Sequence, residues 1–174
     1  MVPDPDSRYV TTRVIADSGG PFVRTILVNV GTSDNVQKGQ AAISAEGLIG
    51  RVVSVGVRSA RILLLTDLNS RIPVVVETTR EKAILAGNNT LYPKLEFVGS
   101  DIGINVGDHI VTSGEGGVFP SGLPVGLVTS VDDESSFVQI HANLDRLEFV
   151  TILDYILPGL LPDTIRAGRI GTLK

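Results

Sequence analysis

The stretch TSGEGGVFPSGLPVG, residues 112–126, combines a serine with several closely spaced glycines and has the composition of a possible chemical site. A phosphate-binding loop needs a lysine and a hydroxyl directly after its last glycine, but Val118 and Phe119 follow Gly117. The dinucleotide-binding fingerprint needs a third glycine where Phe119 stands, with a helix after it, whereas a strand-like segment follows. The glycines are therefore expected to permit turns with positive φ rather than to hold phosphate.

Ser113 could act as the nucleophile of a two-barrel serine protease, which takes its histidine from the first barrel and its serine from the second. Both histidines of this chain, His109 and His141, lie in its second half, which leaves a first barrel without a general base. Ser113 lacks the flanking Asp and Gly-Gly of that protease family, and Val111 replaces the first glycine of a GxSxG elbow. A serine hydrolase is kept as an alternative, and no catalytic residue is assigned.

The other titratable residues do not form a recurrent metal-binding pattern. His109 and His141 are 32 positions apart, the carboxylates are scattered, and the chain has no cysteine. Thiolate catalysis, disulfides and Cys-based zinc sites are excluded by that composition. We therefore predict no metal ion, no cofactor and no enzymatic activity.

The composition of the chain also limits the classes of molecule that are expected as partners. The 174 residues carry a net charge of -4, with a pI near 5.1, and include three Tyr, five Phe and no Trp. Without a basic field or many stacking faces, nucleic acid is not expected as a partner. The lack of Trp also disfavours a carbohydrate-binding module for the cell wall, which stays a second alternative. No run approaches the roughly 20 apolar residues of a membrane span.

Short runs rich in Val, Ile, Leu and Thr recur between Gly, Asn, Asp and Pro, and this pattern predicts an all-β fold. In one run the alternation places Ile26, Val28 and Val30 on one face of a predicted strand and Thr25, Leu27 and Asn29 on the other. No window of 11 or more residues keeps an apolar stripe at helical spacing, so only single helical turns are expected, for example at residues 67–70.

An internal repeat divides the chain into two units. VQKGQAAIS at residues 36–44 matches INVGDHIVT at residues 104–112, and GRVVSV at residues 50–55 matches GLVTSV at residues 126–131. The offset is 68 for the first pair and 76 for the second, so the second unit has eight extra residues, all within the glycine-rich stretch. The repeat predicts two small β-barrel-like domains, while the chain length allows one core or two.

The predicted boundaries follow from this repeat. Residues 1–8 are expected to be a linker, 9–75 the first barrel and 76–153 the second. The strand at residues 147–153 is also a candidate to return and complete the first barrel. Residues 154–174 contain two prolines and are expected to be an extended or disordered tail.

The longer loop of the second unit is the candidate partner-binding site, because loops tolerate insertion and carry function. An aromatic next to a proline forms a rigid apolar pair that loses little entropy on docking. The predicted contact residues are Val118, Phe119, Pro120 and Leu123. The alternative is that Phe119 fills the interior of its own barrel, since an exposed Phe reduces solubility.

Three segments, GLIGRVVSV, ARILLLTDLNSRIPVVV and GDHIVTSGEGGVFPSGLPVGLVTSV, together resemble the periplasmic region of the rod-shape-determining MreC family. The resemblance spans about Tyr9 to Leu153, including the ending LDRLEFVTIL. It implies a non-enzymatic scaffold with two β-barrel-like domains after a coiled coil. The family's transmembrane helix and heptad segment do not precede Tyr9 here, so the chain is expected to be part of a longer protein.

The resemblance also implies location and partners. It places the chain in the periplasm, anchored to the inner membrane through a segment that this chain lacks. The implied partners are MreD, RodA, the elongation-specific class B penicillin-binding protein and further copies of the chain, as a dimer or a filament.

Overall fold

The computed structural model describes residues 8–17, 24–97, 104–117, 119–132 and 135–154. Apart from residues 8 and 154, the predicted linker and tail lie outside these ranges. Within them the chain forms strands and two single turns of 3-10 helix, at Thr32–Asp34 and Glu115–Gly117. Residues 67–70 form a turn in which Ser70 N donates to Asp67 O at 2.9 Å. The all-β prediction is confirmed.

The strands are β1 Arg8–Asp17, β2 Thr25–Val28, β3 Ala41–Ser44, β4 Gly47–Val55, β5 Ala60–Leu64, β6 Arg71–Val76, β7 Lys82–Ala86, β8 Lys94–Phe97, β9 His109–Thr112, β10 Pro124–Val131, β11 Ser136–Ile140 and β12 Phe149–Asp154. Six of them close a first barrel in the order β1-β12-β3-β4-β5-β2. The others close a second barrel in the order β10-β11-β8-β7-β6-β9, and all pairings are antiparallel. The two predicted barrels are confirmed.

The sequence repeat corresponds to the same turn in both barrels. Gly39 and Gly107 have φ values of 98° and 95°, which a side chain would disfavour. Gly39 N donates to Val52 O at 2.8 Å, and Gly107 N donates to Val128 O at the same distance. The turns before β3 and β9 are thus held by equivalent hydrogen bonds to β4 and β10. The sequence repeat therefore reflects a repeated structure.

The barrels share neighbour order as well as local turns. Pairing β12, β1, β2, β3, β4 and β5 with β6, β7, β8, β9, β10 and β11, in that order, reproduces every strand contact of one barrel in the other. β6, which is the first strand of the second barrel in the chain, therefore corresponds to β12, which is the last strand of the first barrel. The two units are related by a circular permutation.

This topology corrects the predicted boundaries. Residues 71–75 were assigned to the first barrel, but β6 pairs with β7 and β9 of the second barrel. β12 was assigned to the second barrel or the first, and it pairs with β1 and β3 of the first. Closing the second barrel requires a sixth strand, and β6 provides it by pairing with β7 and β9.

The connection between the barrels is tightly held. The Asp67 carboxylate is fully buried and accepts hydrogen bonds from Arg24 N at 2.7 Å and Asn69 N at 2.8 Å. The interiors contain aliphatic side chains such as Leu48 and Ile152 in the first barrel and Ile72 and Leu85 in the second. All belong to one connected apolar cluster, so two closed barrels share a continuous core.

Candidate functional site

The loop that joins β9 to β10 is organised around a buried threonine. The Thr112 hydroxyl accepts a hydrogen bond from Leu123 N at 2.9 Å and donates to Pro120 O. The Thr112 carbonyl accepts from Gly122 N at 2.8 Å. Gly114, Gly116, Gly117 and Gly122 all have positive φ. The glycines therefore shape turns, and the threonine fixes the end of the loop against the start of β10.

Two of the predicted contact residues of this loop, Phe119 and Leu123, are buried. Phe119 is 2% exposed and Leu123 is 3% exposed, and both belong to the apolar core. Pro120 is half-buried, and Val118 lies outside the described residues. Removing the Phe119 side chain from water is favourable, which supports the interpretation of Phe119 as a plug. Partner binding by the loop stays a prediction.

Two contacts join the start of this loop to strands β6 and β7 of the second barrel. Ser113 N donates to Pro73 O at 3.1 Å, and Lys82 Nζ lies 2.7 Å from Glu115 Oε1. The hydrogen bond from Lys82 and its positive charge lower the pKa of Glu115 below its ordinary value of 4.5. Both side chains are exposed, so the pair positions the loop more than it stabilises the fold.

Ser113 is not arranged as a nucleophile. Its hydroxyl oxygen accepts a hydrogen bond from Glu115 N at 3.2 Å, and within the described residues no hydrogen bond joins it to His109 or His141. A serine hydrolase needs its base within hydrogen-bonding reach of the serine. The loop therefore offers no assembled catalytic pair.

A cleft of about 290 Å³ lies between the barrels, where a two-barrel protease would hold its active site. Its polar lining includes Arg24, Thr66, Tyr92, His141, Asn143 and Asp145, and none of the described lining residues is a serine. The Arg24 guanidinium donates from Nη2 to Asn89 O at 2.9 Å, which ties it to the cleft wall. Among its described lining residues the cleft therefore has one histidine and no serine to pair with it.

The two histidines meet in space although they are distant in sequence. The ring centroids of His109 and His141 are 6.2 Å apart, and the ring planes are inclined by 37°. No sequence pattern indicates this proximity, because it depends on β9 and the end of β11 lying on either side of β10. Among the described residues no group of three or more His, Cys, Asp and Glu could hold a metal ion.

A groove of about 570 Å³ runs along the junction of the barrels on another side. Gly47, at the start of β4, lies against Pro124 at the start of β10, and these residues form part of its floor. The walls include Tyr9, Ile43, Glu46, Leu123, Phe149 and Thr151. The groove thus combines apolar side chains of the first barrel with the end of the β9–β10 loop.

The outer surface beside this groove carries two exposed aromatic side chains. Tyr9 is 60% exposed and Phe149 is 53% exposed. Arg13 is paired with Phe149 across β1 and β12, and its guanidinium carbon lies 5.1 Å from the centre of the Phe149 ring. Thr151 and Ile43 are also cross-strand partners. We call the surface formed by Tyr9, Arg13, Ile43, Phe149 and Thr151 the aromatic face.

The aromatic face has the composition of a protein-binding surface. Tyr, Phe and Arg are enriched at interfaces, and the attraction between a cation and an aromatic ring is stronger when a partner excludes water from both. Sequence reasoning missed this face because its members come from β1, β3 and β12, which are neighbours only after barrel closure. In the described part of the chain, no helix is both long enough and apolar enough to span a membrane.

Comparison with known proteins gives a consistent result. The family model described as "Rod shape-determining protein MreC, barrel core" matches residues 14–154. The cell shape-determining protein MreC of Cereibacter sphaeroides is 44% identical over 150 residues, which cover 86% of this chain and 50% of that relative. The chain spans about half the length of the curated relatives it matches, or somewhat less.

Solved structures show the same fold. The crystal structure of MreC from Pseudomonas aeruginosa has a TM-score of 0.78 and 33% identity, covering 83% of this chain and 98% of that one. A Helicobacter pylori complex between a penicillin-binding protein (PBP2) and MreC contains a chain similar at a TM-score of 0.67. That match has 20% identity and covers 86% of this chain and 100% of the other, so the likeness is one of fold.

Proposed function

The chain belongs to the MreC family, and on this basis we propose that it is a non-enzymatic scaffold of the bacterial cell-elongation machinery. It self-associates and binds cell-wall synthesis proteins, and so helps to maintain rod shape. It works in the periplasm as part of a longer protein that is anchored to the inner membrane. MreD and RodA are further proposed partners, taken from the family resemblance.

The aromatic face is the observation that carries this proposal. Two large rings, Tyr9 and Phe149, are more than half exposed on a single barrel wall, next to a groove that extends the apolar surface. Aromatic anchors that fill a pocket on a partner supply much of the binding free energy of an interface. A binding surface of this kind needs neither a nucleophile nor a metal ion.

Barrel closure supports a side-chain interface rather than strand addition. Each described strand has hydrogen-bonded neighbours within its own barrel, and closed barrels remove the free edges that another chain could extend. A partner therefore has to contact outward side chains, and among the described residues Tyr9 and Phe149 are the most exposed aromatic side chains.

The proposed partner at the aromatic face is the periplasmic part of the elongation-specific class B penicillin-binding protein. The Helicobacter pylori complex described above pairs a chain of this fold with a penicillin-binding protein (PBP2). Its low identity does not transfer contact residues, so the choice of the aromatic face rests on its exposure and composition in this chain.

Binding of that transpeptidase domain to purified protein, measured by biolayer interferometry, tests the proposal. Tyr9→Ala and Phe149→Ala should each weaken binding by about 1 to 3 kcal/mol, which is roughly 5-fold to 150-fold in dissociation constant. Val106→Ala is the matched control, because Val106 is an equally exposed apolar residue on a turn of the second barrel. It should bind like the unmodified protein.

Three outcomes would count against the proposal. Wild-type affinity in both aromatic variants would remove the aromatic face as the partner site. Co-sedimentation with cell-wall sacculi that depends on Tyr9 and Phe149, without binding to the transpeptidase, would favour the carbohydrate-binding alternative. Covalent labelling by a fluorophosphonate that is lost in Ser113→Ala would establish a serine hydrolase.

A further inference from the structure

The only two histidines of the chain form a close pair on the second barrel. His109 is exposed on β9, and His141 is half-buried directly after β11. Their ring centroids are 6.2 Å apart, although 32 positions separate them in sequence. We propose that His109 and His141 form a two-histidine binding site for a divalent transition-metal ion of the zinc type.

The strand register explains why the pair is on one side of the wall. His109 on β9 is opposite Leu127 on β10, and Leu127 is opposite Gln139 on β11. Cross-strand partners face the same way, and residues two apart on a strand also share a face. His141 follows Gln139 by two residues and continues the ladder through its N–H to Val125 O at 2.9 Å. His109 and His141 are therefore diagonal neighbours across β10.

The separation suits a shared metal ion after a small side-chain adjustment. Zinc lies about 2.0 to 2.1 Å from each histidine nitrogen, so two imidazoles on one tetrahedral ion have centroids about 5 Å apart. The observed 6.2 Å needs an approach of roughly 1 Å, and the terminal torsion of histidine has a broad energy well.

The ligand chemistry selects the class of ion. Imidazole is a borderline ligand that suits zinc, copper and nickel, whereas calcium and magnesium prefer oxygen. Two histidines occupy two positions of a tetrahedral zinc ion and leave two positions for water, because no third described His, Cys, Asp or Glu completes the group. The site is thus accessible and of moderate affinity.

A simple ring contact is the competing explanation, since aromatic pairs also occur with centroids 4.5 to 7 Å apart. It predicts no zinc affinity. The metal site is independent of the proposed scaffold function, because His109 and His141 belong to the second barrel and the aromatic face belongs to the first. Failure of either proposal leaves the other standing.

The site is tested by titrating tag-free protein with zinc chloride. The titration is monitored by isothermal titration calorimetry and by proton NMR. Imidazole proton signals come from only two histidines, and the signals of both rings should respond with one shared dissociation constant. His109→Gln and His141→Gln should each weaken zinc binding by about tenfold or more, since even supporting residues around metal ligands matter that much. Lowering the pH from about 7.5 to about 5.5 should also weaken it, because protons compete for imidazole nitrogens.

The matched control is Glu46→Gln, which removes an exposed carboxylate on the first barrel and should leave zinc affinity unchanged. Thermal unfolding of each variant without zinc checks that the fold is intact. The proposal is overturned if zinc binding is absent, if only one ring signal responds, or if both histidine variants bind zinc like the unmodified protein.

Discussion

Gly47 of the first barrel lies so close to Pro124 of the second that a Cβ atom on Gly47 would be 2.6 Å from the Pro124 carbonyl oxygen. Gly47 also has a φ of 149°, which L side chains rarely adopt. The turn between β3 and β4 can therefore pack against β10 only without a side chain at this position. The turn at Gly47 thus adds a close backbone contact between two barrels that also share one apolar core.

Gly47→Ala should lower the free energy of unfolding by more than backbone strain alone. Strain at positive φ costs about 1 to 3 kcal/mol, and the overlap with Pro124 adds to it. Gly39→Ala is the control, because Gly39 has a φ of 98° but nothing within 4 Å of a Cβ atom. Urea unfolding of both variants measures the difference, and equal losses would mean that the contact between barrels has no energetic weight.

Phe119→Ala should destabilise the second barrel by about 3 to 5 kcal/mol, as expected when a buried Phe is truncated. Phe149→Ala, at an exposed position, should change stability by less than about 1 kcal/mol. Thermal or urea unfolding compares the two. An unchanged melting temperature for Phe119→Ala, together with weaker partner binding, would instead restore the loop as a contact site.

Thr112→Val should cost about 1 to 3 kcal/mol although it keeps the shape of the side chain. The change leaves Leu123 N buried without its acceptor, and an unmade buried hydrogen bond costs more than a made one contributes. Thr112→Ser keeps the hydroxyl and should lose much less. Similar losses in both variants would show that the hydrogen bonds of the Thr112 hydroxyl are not its main contribution to stability.

The pKa of Glu115 should rise toward its ordinary value of 4.5 when Lys82 is replaced by Gln, because the hydrogen bond and the positive charge are removed. A carboxyl with a lowered folded-state pKa stabilises the protein above its ordinary pKa, and that contribution is lost as the pH falls through the folded value. The pH range in which this stabilisation is lost therefore lies below 4.5. Carbon-detected NMR titration of Glu115 measures the shift, and an unaltered pKa in Lys82→Gln would refute the pairing.

The local sequence determined the strands and the repeated turn. Alternating Ile26 and Val28 form the inward side of β2, and Gly39 and Gly107 occupy the same positive-φ turn because only glycine adopts it freely. These features depend on residues a few positions apart. Pattern and turn chemistry therefore predicted an all-β chain with two barrels.

The candidate site was less accessible to sequence reasoning. The eight-residue excess correctly marked the β9–β10 loop as the point where the units differ, but it could not say which way Phe119 points. Thr112 and the positive-φ glycines turn the loop back over the end of the barrel, and Phe119 is buried as a result. The direction in which Phe119 points depends on hydrogen bonds of the folded loop, and the amino-acid composition of the loop does not reveal them.

By itself, the sequence determined the secondary structure, the internal repeat and the family resemblance, because short-range patterns and turn residues carry that information. Only the tertiary structure decided that β6 joins the second barrel, that β12 returns to the first, and that His109 approaches His141. Barrel closure is the physical reason. It pairs strands from opposite ends of the chain, and it brings together side chains whose separation in sequence says nothing about their distance.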